Sequence, residues 1–175
     1  MGNNDVNSLD YRMYFLVPYN ISEIQKGIQA GHAVVEYGLL NWEQPEYQKW
    51  AKNDKTFIIL NGGTFNDGDT CQGSMNVALK TLMKEGVQLA TFREPDLNNG
   101  LSAIAFLVDE RVFNKDKHPY PASIDVDVNN GAHLVSAPVN SQLSAEHWTH
   151  AQLQAVAGSY KNAFLRGFLQ GYRLA

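Results

Sequence analysis

Four polar residues, Gln25, Gln29, His32 and Glu36, recur at intervals of four, three and four. At about 100° per residue this spacing holds them within one narrow stripe of a helix. A stripe of glutamine and histidine beside an apolar face suits reading the polar edge of a ligand. The same pattern also fits a half-buried His32 bonded to a neighbouring loop, with Gln29 on the rim of the core. The second candidate is the segment Phe92-Arg93-Glu94-Pro95-Asp96-Leu97-Asn98-Asn99-Gly100, which packs Arg93, Glu94, Asp96 and Asn98 between two apolar runs. Loops held by rigid strands carry binding and catalytic side chains, and a carboxylate there can orient or deprotonate water. The plainer reading is a hairpin in which Arg93 pairs with Glu94 or Asp96.

The hydropathy pattern outlines the elements that must position these residues. Arg12 to Val17 (RMYFLV) reads as a buried strand closed by Pro18. Ser22 and Gln25 fit a capping box that opens a helix running to about Leu40. On that helix Ile24, Ile28, Gly31, Val35 and Leu39 form an apolar stripe, with the polar residues at its border. Gly27 and Gly31 keep the helix surface low, so that a neighbouring element or a ligand can approach the backbone. Residues 41 to 54 form a connection containing a short helix. Thr56 to Leu60 (TFIIL) is a central strand ending at Asn61-Gly62-Gly63, which places Asn61 and Thr64 at a pocket rim. A surface loop leads to a second helix from Ser74, with Met75, Ala78, Leu79, Leu82 and Met83 inward and Gly86 ending it. Val87 to Phe92 and Leu101 to Val108 are strands too close in sequence for a crossover, hence antiparallel neighbours. The β-α-β-α-β-β order predicts an α/β fold: a mixed four-stranded sheet with helices packed on it.

Residues 1 to 10 are expected to be a flexible N-terminus, 11 to 115 the α/β core and 116 to 175 a C-terminal extension. The extension contains a hairpin within Ser123 to Pro138 and a helix capped by Ser144 and ending near Ala157. A last apolar stripe follows at Tyr160, Phe164, Leu165, Phe168, Leu169 and Tyr172, able to dock on the core or on a partner subunit as a homo-oligomer contact.

Composition narrows the function classes. The chain has 175 residues, 44% of them hydrophobic, enough for one core. No run reaches the roughly 18 apolar residues of a membrane span, and Val6 stands where an N-myristoylation pattern wants Ser or Thr. The single cysteine, Cys71, excludes an intramolecular disulfide and a four-cysteine zinc site, and points to a reducing, cytoplasmic setting. A net charge of −4 argues against long duplex DNA as the partner. His147 and His150, with His133 and Glu146 near in sequence, lack the i, i+4 pair and convergent ligands that zinc prefers. The loop after Leu60 lacks a phosphate-cradling P-loop pattern. No metal or cofactor is expected.

The segment QKGIQAGHAVVEYG resembles the first-helix motif of type-2 peptidyl-tRNA hydrolases, in which a glycine- and lysine-bearing turn leads into Ala-Gln-x-x-His-Ala. The TFIIL strand, the ALKTLMKEGVQL unit and the strand after the acidic loop follow in that family's order, over roughly residues 11 to 110. The version most similar in flavour is the divergent one carried by tailed phages, which would place the protein in the host cytoplasm. The resemblance implies hydrolysis of the ester joining a blocked peptide to the 3′ adenosine of tRNA, without a metal. Gln29 and His32 fall on the motif's Gln and His. The family's lysine falls at Gln25, or at Lys26 if the turn is shifted by one. Its acidic residue is approximated by Glu94 and its later hydroxyl residue by Ser102. In that reading Glu94 orients or deprotonates water, Lys26 contacts phosphate or stabilises the oxyanion, and Ser102 with Gln29 positions the ester.

Two other functions suit the same residues. A pocket shaped for adenosine can hold a free or cyclic nucleotide without chemistry, sequestering a host defence signal in a phage setting. A purely structural or regulatory protein would instead use its tail for oligomerisation.

Overall fold

The computed structural model describes residues 9–64, 73–118, 125–127, 131–133 and 160–175. The chain divides into two compact units, one reaching Asp109 and regaining Gln170–Ala175, the other Glu110–Leu169.

The first unit is built on four strands: β1 (Tyr11–Pro18), β2 (Thr56–Gly63), β3 (Leu89–Glu94) and β4 (Gly100–Asp109). Their order is β2-β1-β4-β3, with β1 and β2 parallel and β4 antiparallel to both β1 and β3. This is the open mixed sheet expected from the element order. β1 is central and covered on both faces, which explains its unbroken apolar run. The carboxyl ends of β1, β2 and β3 and the start of β4 therefore share one end of the sheet.

Helix α1 (Glu23–Asn41) opens with the expected capping box between Ser22 and Gln25. It lies over Met13, Phe15, Val17, Ala90, Ala103 and Ala105. The apolar stripe of α1 does not meet this core: Ile24 and Leu39 are 78% and 72% exposed, and Ile28 and Val35 are exposed too. The buried face is instead Lys26, Gln29, Ala30, Ala33, Tyr37, Gly38 and Asn41. The reason is steric, because small side chains on the helix meet alanines on the sheet and two flat surfaces approach closely. Gly27 and Gly31 lie on the outer side, where an added Cβ would meet nothing within 4 Å.

The connection to β2 is more structured than the sequence suggests. It holds α2 (Pro45–Lys49) and a π-helical turn (Trp50–Asp54) closed by Lys55 in the left-handed region. Trp50 is buried between Tyr47 and Phe57, and its Nε1 donates to the Thr56 carbonyl at 3.2 Å. Asp54 accepts from Lys49 Nζ and from the Tyr11 amide at 2.9 Å, fixing the turn to the start of β1. Burial pushes the Tyr37 phenol well above the usual tyrosine range, and a hydrogen bond with the Leu107 backbone offsets part of the effect.

Helix α3 (Ser74–Lys84) covers the opposite face, where Gly62 lies tightly between Leu16 and Met75. Met83, expected inward, is exposed, and Asn76 is buried. Gly86 ends the helix as expected: at φ 65° it allows its own amide to reach the Met83 carbonyl and the Val87 amide that of Leu82. Since a Cβ there meets nothing, Gly86→Ala should cost only the left-handed conformation, about 1–2 kcal/mol. A urea titration shows this as a lowered midpoint at unchanged slope; an unchanged midpoint would contradict it.

The chain end returns to β2. Asn61 N donates to the Arg173 carbonyl at 2.9 Å and Ala175 N to the Ile59 carbonyl at 3.0 Å, with an antiparallel bridge between Leu60 and Leu174. These bonds cover part of the outer edge of β2.

The second unit contains α4 (Glu110–Phe113), the short antiparallel pair β5 (Asp125–Asp127) and β6 (Gly131–His133), and most of α5 (Tyr160–Gln170). Buried Arg166 on α5 donates through Nε to the Arg111 carbonyl at 2.6 Å and through its terminal nitrogen to that of His118 at 2.5 Å. Glu110 is buried, which by itself raises its carboxyl, but hydrogen bonds and charge from Lys117 and His118 outweigh burial and hold it below the usual range. The helix expected after Ser144, with His147 and His150, lies outside the described residues, as do Cys71 and residues 1–8.

Candidate functional site

Gln29 is the residue around which the site is organised. It sits on the inward face of α1 one turn after Lys26, pointing at the end of the sheet where β3 stops and β4 begins. Its Oε1 accepts from Ser102 Oγ at 2.6 Å and its Nε2 donates to Glu94 Oε2 at 2.6 Å. The direction of the amide follows from Glu94, because a carboxylate oxygen accepts and does not donate; the amide nitrogen therefore faces Glu94, and the amide oxygen is left to accept from the Ser102 hydroxyl. The Phe92 carbonyl, at 3.2 Å, is the weaker alternative acceptor for the single Ser102 proton.

Ser102 reaches Gln29 because the β3–β4 ladder carries a bulge. Phe92 faces Ala103 and Arg93 faces Leu101, so Ser102 is the extra residue with no opposite partner. Such an insertion re-aims a side chain that strict alternation would send elsewhere. Ser102 is 1% exposed, so its hydroxyl acts on Gln29 and is closed to solvent. Glu94, the last residue of β3, is half-buried, and its Oε1 has no partner among the described residues.

Two further side chains border this array. The His32 ring is exposed and stacks on Phe92, with centroids 4.3 Å apart and planes 16° from parallel. Lys26 is buried along its stem and bonds Glu23 Oε1 through Nζ at 2.8 Å. Glu23 and Phe92 were not among the candidates read from sequence. The Glu23–Lys26 spacing of three is a legible ion-pair signal, whereas the His32–Phe92 stack depends on packing between distant segments.

Of the sequence candidates, Lys26, Gln29, His32, Glu94 and Ser102 are thus gathered at one end of α1 and of the β3–β4 pair. Gln25 is exposed and committed to the capping box, its Oε1 accepting from the Ser22 amide at 3.0 Å. Of the two positions that could carry the motif lysine, Lys26 is the one buried together with Gln29. Arg93 donates to the Asn99 carbonyl at 3.2 Å, and so braces the turn. Asp96 and Asn98 are exposed on that turn, with Asn98 at φ 51°. The Asn61 side chain accepts from the Gly63 amide at 3.0 Å, and the Thr64 amide donates to Ser74 Oγ at 3.2 Å. Both lie at the same end of the sheet, Asn61 on β2 and Thr64 just past it, at the opposite edge from β3.

Chemically, the array offers a carboxylate oriented by a fixed amide, a primary amine one helical turn away and an exposed aromatic pair. Among the described residues no group of three His, Cys, Asp or Glu side chains could hold a metal ion, and no helix is long and apolar enough to cross a membrane. Compared with protein-family models and with curated proteins, the chain matches none.

Proposed function

We propose that this protein is an esterase of the type-2 peptidyl-tRNA hydrolase kind, cleaving the ester between a blocked peptide and the 3′ adenosine of tRNA. The observation that carries this reading is Gln29 bridging Ser102 and Glu94 at 2.6 Å on both sides. Each of the three came from a separate part of the motif resemblance, and the fold joins them in one hydrogen-bonded line. Glu94 Oε1 takes a proton from water, which attacks the ester carbonyl, and the ribose oxygen leaves with a proton returned by the same carboxyl or by solvent. Lys26, freed from its exposed partner Glu23, offsets the charge on the carbonyl oxygen or a phosphate. The terminal adenine stacks on the His32–Phe92 pair, as single-stranded bases do on aromatic side chains.

A second reading is a binding protein for a free or cyclic nucleotide. The observation favouring it is the exposed His32 ring on Phe92, a platform that serves base binding with or without hydrolysis. One experiment separates the two: release of a labelled N-blocked amino acid from tRNA, with wild type and Glu94→Gln, and nucleotide analysis of the purified protein in parallel. The hydrolase reading expects turnover that falls by about 10²–10⁴ in Glu94→Gln. No turnover, together with a bound nucleotide, would leave only the binding reading.

A further inference from the structure

The outward face of α1 is unusual for a surface helix. Ile24, Gly27, Ile28, Gly31, Val35, Leu39 and, just past the helix, Trp42 fill a sector about 120° wide, and none of them is charged. The five large ones are all exposed. They present roughly 500 Å² of apolar surface, so a symmetric pair would bury on the order of 1,000 Å², where specific interfaces begin.

We propose that this face is a homodimer interface in which two copies of α1 pack antiparallel across a two-fold axis near Gly31. A two-fold interface must be self-complementary, and this face is. With the two Gly31 residues meeting at the axis, Val35 of one copy lies opposite Gly27 of the other, and Ile24 lies beside the second copy's Leu39. A branched side chain thus meets the open space at Gly27, where nothing approaches within 4 Å in the single chain. Antiparallel helix dipoles attract at this distance, and no charged side chain of either acidic chain falls within the contact. A lipid surface fits less well. The polar border of the face is Gln25, His32 and Glu36, without the exposed Lys or Arg of a membrane-surface helix, and the only lysine of α1 is buried.

Sedimentation velocity of the full chain through the micromolar range tests the proposal, independently of any activity. Wild type should sediment as a dimer. Val35→Glu should raise the dimer dissociation constant about 100-fold by burying a charge at the contact. In the monomer that glutamate stands in water, so an unchanged far-UV spectrum is expected. Gly27→Leu, which fills the recess without meeting its own chain, should weaken the dimer as well. A wild type that stays monomeric overturns the proposal, and anionic-vesicle binding by that monomer would assign the face to lipid. A dimer indifferent to both substitutions places the interface elsewhere and equally overturns it.

Discussion

Gln29→Ala is expected to reduce kcat/KM for peptidyl-tRNA by about 10²–10³-fold. The substitution removes one amide but breaks two hydrogen bonds of 2.6 Å, those to Ser102 and to Glu94. The carboxylate then loses the donor that sets its direction. Ser102→Ala should be milder, on the order of tenfold, because Gln29 keeps its bond to Glu94 and loses only the hydroxyl on its far side. Gln29→Glu should be at least as damaging as Gln29→Ala, since it sets two carboxylates against each other. Initial-rate measurements on the three variants give the ranking directly. Full activity in Gln29→Ala would remove the bridge from the mechanism.

The largest effect on folding is expected at Trp50→Ala, at about 3–5 kcal/mol, a large part of a typical domain's stability. Trp50 joins elements that are otherwise far apart in sequence. Its ring lies 5.7 Å from Tyr47 and 5.6 Å from Phe57, Tyr47 continues to Tyr37 of α1, and Phe57 continues to Phe15 of β1. Removing it empties the centre of that series and leaves the Thr56 carbonyl without its indole donor. Chemical denaturation should show a lowered midpoint with an unchanged slope. A loss below about 1 kcal/mol would mean that the neighbouring rings close the gap.

The elements were legible where local and global preferences agree. RMYFLV reads as a strand because both faces of β1 are covered, and Ser22 with Gln25 marks the start of α1 because the cap is satisfied within four residues. The β3–β4 hairpin followed from a connection too short to cross over. Periodicity identified the apolar stripe of α1 but not which way it turns. Ala30 and Ala33 are weak hydrophobic signals, yet their small size is what brings the helix onto the sheet. The residues of the candidate site were legible as types, through the motif, but not their geometry. Whether Gln25 or Lys26 is buried beside Gln29 depends on the helix's rotation about its axis. The Glu94 and Ser102 contacts depend on a register shift that alternation alone does not reveal. The return of Arg173 to Ala175 to β2 had no sequence signal, because backbone atoms make those bonds.

The register shift at Ser102 separates what the sheet needs from what the site needs. Without that residue, Phe92 opposite Ala103 and Arg93 opposite Leu101 would be consecutive rungs of a regular ladder. The pairing on either side would survive intact. A lineage could therefore abolish this site by losing a single codon while keeping a sound, even tidier, scaffold. Gain and loss of activity on this architecture can follow insertions and deletions as readily as exchanges of one side chain for another.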